Sequence, residues 1–498
     1  MTGVVPKDAA AIILVRRDTD PRNPEIYWVK RSEKLAFLGG YHAFPGGQID
    51  VADAEVDVRN SPDAITSAMI SGAARELFEE LGVLVARGGE TLTKGQRASL
   101  LDDLESGRMS WPALLKHYEL FLDANDFTYV GRWVTPPFNA RRFDTWFFLV
   151  SCPDKQEPYL TAGELEDGEW ITAQAAYNRW LGDQVVAVPP TLHALRTLAG
   201  GVTQDLADRF LSNINAQGEI ARRITFRPNY ICFPVRTPTR PPATHTCCYL
   251  IHTPQEILVV DPGSPYEDEQ QTLAECLDEM IAKGRRVKEI IITHLHPDHI
   301  GGVNALKTHI EAHLGGAVPV AAHQHTAEAL SNIQSEVHVD RLIADGDVIT
   351  LDGNPEIRLT ALHTPGHARG HLCFHDADRG ALLTGDNIVG VGSVLIDPPE
   401  GNMRDYLRSL ERMRSLPNLS VLFGGHGPAV AAPYQKIDEY ISHRLEREQN
   451  ILRAFREGAT DPKQIVAKVY TDVSPKAYAM AERAVLAHLE KLREDGAI

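Results

Sequence analysis

Residues 290–299 read Ile-Ile-Ile-Thr-His-Leu-His-Pro-Asp-His. Three consecutive isoleucines are the mark of a short buried strand. At its end His294 and His296 point to the same side, because strand side chains alternate, and Asp298 and His299 fall in the turn that follows. Four ligand-type residues in six positions can serve two adjacent metal ions. Imidazole and carboxylate together suit zinc, and also iron or manganese. An isolated His-x-His pair is better read as residues opening a helix, but the whole string HxHxDH goes against that reading. Three later segments each add one more ligand type at a strand-to-loop junction: His367 after the Pro365-Gly366 turn, Asp386 after the apolar run Leu382-Leu383, and His426 in Gly424-Gly425-His426-Gly427. Two divalent ions lower the pKa of a shared water to roughly 7 and stabilise the oxyanion its attack creates. The chemistry is therefore hydrolysis at a carbonyl or phosphorus centre. His323 and His325 repeat the His-x-His spacing without the Asp-His that should follow, so they read as loop or helix-start residues. His363 and His371 read as core or supporting positions.

A second cluster lies near the other end of the chain. Phe44-Pro45-Gly46-Gly47 is followed by Arg75-Glu76-Leu77-Phe78-Glu79-Glu80-Leu81-Gly82-Val83. On a helix Glu76, Glu79 and Glu80 are related by three and four residues and share one face. Three such carboxylates repel one another unless cations sit among them, and Mg2+ or Mn2+ on a diphosphate answers that need. Glutamates alone would be a solvated acidic face. The glycine turn before them and the Leu-Gly-Val end favour a site.

The elements that must hold these residues fall into three parts. Residues 1–205 alternate strand-like runs (10–16, 26–31, 143–150) with helical segments and close on Val188-Pro189-Pro190 and Gly200-Gly201. Residues 222–440 open with a proline-rich entry and continue with β-rich runs such as Glu256–Gly263. Residues 441–498 read as helical, with Thr460-Asp461-Pro462 as one helix start and Pro475 as another. At 498 residues the chain is too long for one core. The formal net charge of −17 repels nucleic-acid phosphates at long range, which argues against a broad DNA- or RNA-binding face. No apolar run is long enough to cross a membrane. The early positive charges follow the first apolar run, the wrong order for a signal peptide. Six scattered cysteines without zinc-finger spacing fit a reducing, cytoplasmic setting.

The series HxHxDH, PGH, GD and GHG resembles the metallo-β-lactamase superfamily over roughly residues 225–498. The resemblance implies that His294, His296 and His367 hold one metal, that Asp298, His299 and His426 hold the other, and that Asp386 bridges them. It also implies that Asp261 is the structural acidic turn beneath the site. Asp386 points to the glyoxalase- and nuclease-like branches, since true zinc β-lactamases lack the bridging carboxylate. The tail from Tyr440 resembles that of the β-lactamase-like endoribonucleases, which add a small winged-helix-like domain. Residues 449–498 carry 8 Lys or Arg against 7 Asp or Glu, so a packing or lid role is as well supported as RNA binding. His443 and Arg444 are candidate contacts for an anionic substrate. The N-terminal part resembles the Nudix hydrolases through REUxEExGU, with two departures: Asp53 stands where the box carries Glu, and the stretch to Arg75 is lengthened. Both departures, with the helical insert 94–121, resemble the branch that cleaves coenzyme A. Glu164 and Glu166 are candidates for a distal base, and Arg141 and Arg142 for phosphate contact.

The expected fold is therefore multidomain, α/β and α+β: a Nudix α/β/α sandwich, an αββα metallo-β-lactamase fold and a helical winged-helix-like tail. The expected function is a bifunctional metal-dependent hydrolase. Two Zn2+ (or Mn or Fe) would serve hydrolysis of an ester, thioester or phosphodiester, and Mg2+ or Mn2+ would serve cleavage of a CoA-like diphosphate. Asp298 and Glu76 are the candidate catalytic residues. The substrate would be a small anionic molecule, an acyl-CoA or nucleotide derivative. The alternative is an endoribonuclease on single-stranded RNA with a regulatory Nudix domain.

Overall fold

The computed structural model describes residues 4–16, 20, 22–35, 37–161, 163–314, 316–471 and 473–498. The chain divides into two compact units, Met1–Pro228 and Asn229–Ile498.

The first unit is built on a mixed sheet. Its strands are β1 (Lys7–Val15), β2 (Glu25–Arg31), β3 (His42–Ala43), β4 (Gly46–Gln48), β5 (Thr128–Val134), β6 (Phe143–Ser151) and β7 (Leu165–Thr172). The order is β3-β2-β1-β6-β5, with β4 paired to β1 and β7 to β2. Strand β1 runs parallel to β6 and antiparallel to β2. Its alternating side chains feed two cores. Ala10, Ile12 and Leu14 pack with α1 (Ala64–Leu81), α2 (Lys94–Glu105) and α3 (Trp111–His117). Ile13 packs on the other face with α4 (Ala173–Leu181) and α5 (Pro189–Ala199). The result is a three-layer α/β/α arrangement, built from strands and helices that alternate along the chain. Residues 206–221, between the expected domain ranges, are part of this unit: α6 (Leu206–Leu211) buries Leu206 and Phe210 in the second of these cores, and β8 (Ile224–Arg227) follows. Two apolar anchors on a six-residue helix are too weak a periodic signal to separate it from a linker.

The second unit stacks two sheets. The first holds β9 (Tyr230–Arg236), β10 (His245–His252), β11 (Glu256–Val260), β12 (Arg286–Ile291), β13 (Val320–Ala322) and β14 (Arg341–Leu342). The second holds β15 (Val348–Leu351), β16 (Ile357–His363), β17 (Leu372–Asp376), β18 (Ala381–Gly385) and β19 (Val421–Gly424), in that order. Tyr230 and Tyr249 of the first sheet pack on Phe423 of the second, with ring centroids 5.1 and 5.5 Å apart. Helices α7 (Glu267–Ile281) and α9 (Val303–Leu314) cover the first sheet; between β12 and α9 lies the single turn α8 (Pro297–Ile300), and α10 (Gln324–Asn332) follows β13. Helices α11 (Met403–Arg414) and α12 (Pro433–Arg456) cover the second sheet, which completes an αββα sandwich. The tail is formed by α13 (Pro462–Val469) and α14 (Tyr478–Glu494). Asp461 caps α13 through the Lys463 N–H, as the Asp-Pro start predicts. The expected boundary at 440/441 falls inside α12. Ile437, Tyr440 and Ile441 belong to the core of the second sheet, whereas Ile451 and Ala454 belong to the tail core with Ile465, Val485 and Leu489. One continuous helix serves both cores, and no turn residue marks the change.

Candidate active site

The two sheets deliver the histidine cluster from their strand ends. Strand β12 is buried along Ile290-Ile291-Ile292 and releases His294 and His296 directly after it. Strands β18 and β19 are parallel, with Gly385 opposite Gly424, so Asp386 and His426 leave the sheet at the same end. Gly425 lets them meet. A Cβ there would stand 2.3 Å from Asp386 Oδ1 and 2.8 Å from His299 Cε1, so any side chain would have to displace these two groups.

The seven histidines and aspartates singled out in this unit come together. The ligand atoms of His294, His296 and His367 lie within 4.8 Å of one another, as do those of Asp298, His299 and His426, and those of His294, His299 and Asp386. His296 Nδ1 is 2.9 Å from both His294 Nε2 and His367 Nε2. Asp386 Oδ2 is 3.2 Å from His426 Nε2 and 3.7 Å from His367 Nε2, while Oδ1 is 3.4 Å from His299 Nε2. It therefore faces both triads. His426 Nε2 is 3.5 Å from Asp298 Oδ2.

The outer nitrogens fix which inner atoms are bare. A carbonyl can only accept, so His367 Nδ1 donates to Leu395 O at 2.9 Å and His426 Nδ1 donates to His245 O at 2.8 Å. Each Nε2 is thereby left with a lone pair aimed inward, the arrangement that orients metal-binding histidines. His299 Nδ1 is held by Asp261 Oδ2 at 2.8 Å, and the same carboxylate accepts from the Thr293 N–H at 2.7 Å and the Thr293 hydroxyl at 2.6 Å. Asp261 holds this position at φ +53°, a left-handed conformation that aspartate tolerates better than most residues. Burial disfavours charge throughout the cluster. Even so, His426 and His299 hold the Asp386 carboxyl well below its usual range.

A cation fits this donor set. His299 Nε2 and Asp386 Oδ1 are buried and have no hydrogen-bond partner. Orphaned buried polar atoms are costly unless something charged meets them. His371 is not among the converging groups. It is fully buried behind them, where its Nε2 accepts the Asp386 backbone N–H at 3.1 Å. His323 caps α10, and its ring stacks on His363 at 4.0 Å.

The cluster lies in a cleft of about 850 Å3 whose walls include Arg240, His443, Arg447, Tyr470 and Met480. Arg444, expected to contact substrate, also lines this cleft, although most of its side chain is buried. Its guanidinium donates to Val394 O and lies 5.5 Å from the Tyr406 ring. It therefore holds the loop whose next carbonyl, Leu395 O, orients His367. The sequence reading missed Leu395, His245 and Thr293 as supports, because a backbone carbonyl or a lone threonine carries no motif.

In the first unit Glu76, Glu79 and Glu80 share the end of α1, which Gly82 closes at φ +62°. Arg75 pairs with Asp53 at 2.9 Å, Glu76 at 2.9 Å and Glu79 at 2.7 Å. Asp53, fully buried, is thus the anchor of Arg75. Glu80 Oε2 accepts the Gly46 N–H at 2.9 Å. Gly47 lies against Glu76, where a Cβ would stand 2.6 Å from its carboxylate oxygens. Burial pushes Glu76 up to about 7 and Glu80 up to about 8, with mutual repulsion adding to it. The three carboxylates are not among the groups of described residues whose ligand atoms converge within 4.8 Å. Two of the other candidates of this unit are occupied elsewhere. Arg142 donates to Thr135 O and Val4 O at 2.8 Å each, and Glu166 accepts from the Ser32 hydroxyl and the Glu33 N–H.

Two sheets presenting an inward-facing set of histidines and aspartates define a metal-dependent hydrolase fold. Residues 242–426 match the metallo-β-lactamase superfamily, and residues 462–498 match the β-lactamase associated winged helix domain. The C-terminal half is therefore a metallo-β-lactamase superfamily hydrolase with that tail, a fold that implies a divalent metal, commonly zinc or iron. The chain is similar to the β-lactamase-like protein 2 homolog of Caenorhabditis elegans, 28% identical over 255 residues, covering 51% of this chain and 80% of the relative. It is also similar to an atrochrysone carboxyl ACP thioesterase of Aspergillus chevalieri, 29% identical over 256 residues, covering 49% of this chain and 75% of the relative. Among solved structures it is similar to a metallo-β-lactamase family protein from Thermus thermophilus, at 25% identity and TM-score 0.45, covering 55% of this chain and 96% of that one. A Nudix hydrolase from Alicyclobacillus acidocaldarius is 30% identical with TM-score 0.35, covering 41% of this chain and 96% of that one. No helix among the described residues is long and apolar enough to cross a membrane.

Proposed function

We propose that the C-terminal unit hydrolyses the thioester of a small anionic substrate of the acyl-CoA class, and that the N-terminal unit is a Nudix-type hydrolase that cleaves the diphosphate of the same class of molecule. The observation that carries the first reading is the inward-facing ligand set, whose buried His299 Nε2 and Asp386 Oδ1 face each other at 3.4 Å without a hydrogen bond, on a cleft of single-ligand size. A cleft of about 850 Å3 falls in the range of roughly 300–1,000 Å3 that small molecules occupy. The thioesterase activity for which one relative is named supports the same bond type.

His294, His296 and His367 would hold one ion, Asp298, His299 and His426 the other, and Asp386 would face both. Two bound divalent ions, zinc or a similar metal, supply a water acidified to near neutrality and Lewis acidity at the carbonyl oxygen. The protein's own groups do the rest. Asp261, Leu395 O and His245 O fix the tautomers of His299, His367 and His426, so their inner nitrogens cannot turn away. Asp298, at the edge of the cleft, is the carboxylate placed to take the proton from the attacking water. Arg240 and Arg447 on the walls attract a phosphorylated substrate, and Met480 and Tyr470 exclude water from its apolar part.

In the N-terminal unit, Glu79 and Glu80 would hold Mg2+ or Mn2+ with Glu76, whose raised pKa suits it to accept a proton near neutral pH. Gly47 lets the backbone lie directly against the Glu76 carboxylate, where a Cβ would stand 2.6 Å from its oxygens.

The test is one assay of the full-length protein on a short acyl-CoA and, separately, on a single-stranded oligoribonucleotide. Thiol release lost in His294→Ala, with 3′,5′-ADP formation lost in Glu79→Gln/Glu80→Gln, is the expected result. Metal-dependent RNA cleavage lost in His294→Ala, with the thioester untouched, would replace this reading by the endoribonuclease one.

A further inference from the structure

Three ligand-type side chains meet outside the cleft. Asp278 comes from α7, and His309 and His313 come from α9, one helical turn apart and hence on one face. His309 Nε2 lies 2.9 Å from Asp278 Oδ1, and His313 Nε2 lies 3.8 Å from Asp278 Oδ2. The two imidazole centroids are 4.3 Å apart. His313 Nδ1 is 2.9 Å from His309 O, a carbonyl that can only accept, so this nitrogen carries the proton. His313 Nε2 therefore presents a bare lone pair toward Asp278. The ligand atoms of all three residues lie within 4.8 Å of one another, the same convergence found in the dinuclear cluster.

We propose that Asp278, His309 and His313 form a third metal site, which takes a zinc-class divalent ion and clips α7 to α9. Two imidazoles and one carboxylate match zinc in ligand type, and a fourth position is left for water or another ligand. Metal–ligand distances of about 2.0–2.2 Å place neighbouring ligand atoms roughly 3.3–3.5 Å apart, so the set needs to close by only about 1 Å. The half-exposed His313 ring can make that movement. The site is accessible, with side-chain exposures of 31% for His309, 35% for Asp278 and 49% for His313. Partial exposure makes the ion exchangeable, unlike those of the buried cluster. None of the three residues lines the catalytic cleft. The ion would therefore stabilise the α7–α9 layer and take no part in hydrolysis.

The experiment uses the full-length protein with its resident ions. Wild type, His313→Ala and His309→Gln are dialysed to equilibrium against micromolar zinc, and the metal-to-protein ratio is measured by elemental analysis. The wild type should bind one zinc per chain more than either variant. Added zinc should raise its Tm and leave that of the variants where it was, with the hydrolytic rate of the cleft unchanged in all three. Equal zinc content in the three proteins overturns the site, whether nothing extra binds or the extra zinc binds elsewhere. Equal content with variants that melt lower before zinc is added identifies a simple histidine–aspartate clamp between the helices, which also overturns it.

Discussion

The histidine cluster of the C-terminal unit and the glutamate cluster of the N-terminal unit satisfy buried charge in opposite ways. Around the histidines the protein points its inner atoms at a common space and fixes them from outside, through Leu395 O on His367, His245 O on His426 and Asp261 on His299. Two inner atoms, His299 Nε2 and Asp386 Oδ1, make no hydrogen bond and face each other at 3.4 Å. Around the glutamates the protein supplies its own cation: Arg75 pairs with Asp53, Glu76 and Glu79, and the carboxylates do not converge. One site is built ahead of its metal. The other is closed on itself until a metal or a phosphate competes with an arginine. The first arrangement suits a tightly held transition metal, the second a labile, strongly hydrated Mg2+ that arrives with substrate.

The sharpest way to break this contrast is to remove its central atom. Asp386→Ala should abolish hydrolysis in the C-terminal unit and lower the transition-metal content of the purified protein from about two per chain, while far-UV circular dichroism stays native. Elemental analysis together with a turnover assay reads both. A variant that keeps both metals and activity would mean that Asp386 does not join the two triads.

Glu79→Gln with Glu80→Gln should stop magnesium-dependent diphosphate cleavage and leave thioester hydrolysis within about twofold, because the residues lie in separately packed units. If both reactions fall together in folded protein, the two sites are not independent.

Asp261→Asn tests the outer support alone. It keeps the shape but loses the charge on His299 Nδ1, and metal affinity should fall by about 10–100-fold, the usual cost of removing such a partner. Competition with a chromophoric chelator measures it. The matching change in the other cluster, Asp53→Asn, should leave transition-metal content untouched.

The smallest effect is on stability with pH. Glu76 and Glu80 bind protons more tightly folded than unfolded, with values near 7 and 8 against 4.5. Their contribution is fully present below about pH 4.5 and is lost as the pH rises through 7 and 8. In chelator the N-terminal unit should therefore melt lower at pH 8.5 than at pH 6, and Mg2+ should recover much of the difference. Differential scanning calorimetry on Glu80→Gln should show a shallower slope. An unchanged slope would mean that Glu80 ionises as freely folded as unfolded.

Much of this was legible in the residue order. Triple isoleucine before His294, Pro-Gly before His367 and Gly-Gly before His426 marked the strand ends and the tight turns, because local sterics and alternation act over a few residues. The REUxEE spacing likewise put three glutamates on one helix face. Sequence also placed the two clusters in different parts of the chain, and the two compact units agree. What only the tertiary structure decided is everything carried by backbone or by distant contact. The tautomers of His367 and His426 depend on carbonyls 28 and 181 residues away. Arg444 lines the cleft, but only the fold shows that its guanidinium donates to Val394 O beside the Tyr406 ring. The end of the catalytic fold could not be read at residue 440, since α12 continues through it to pack against two cores. Short-range geometry is written in neighbouring residues; the partner that a buried polar atom finds is set by which chain segments the fold brings beside it.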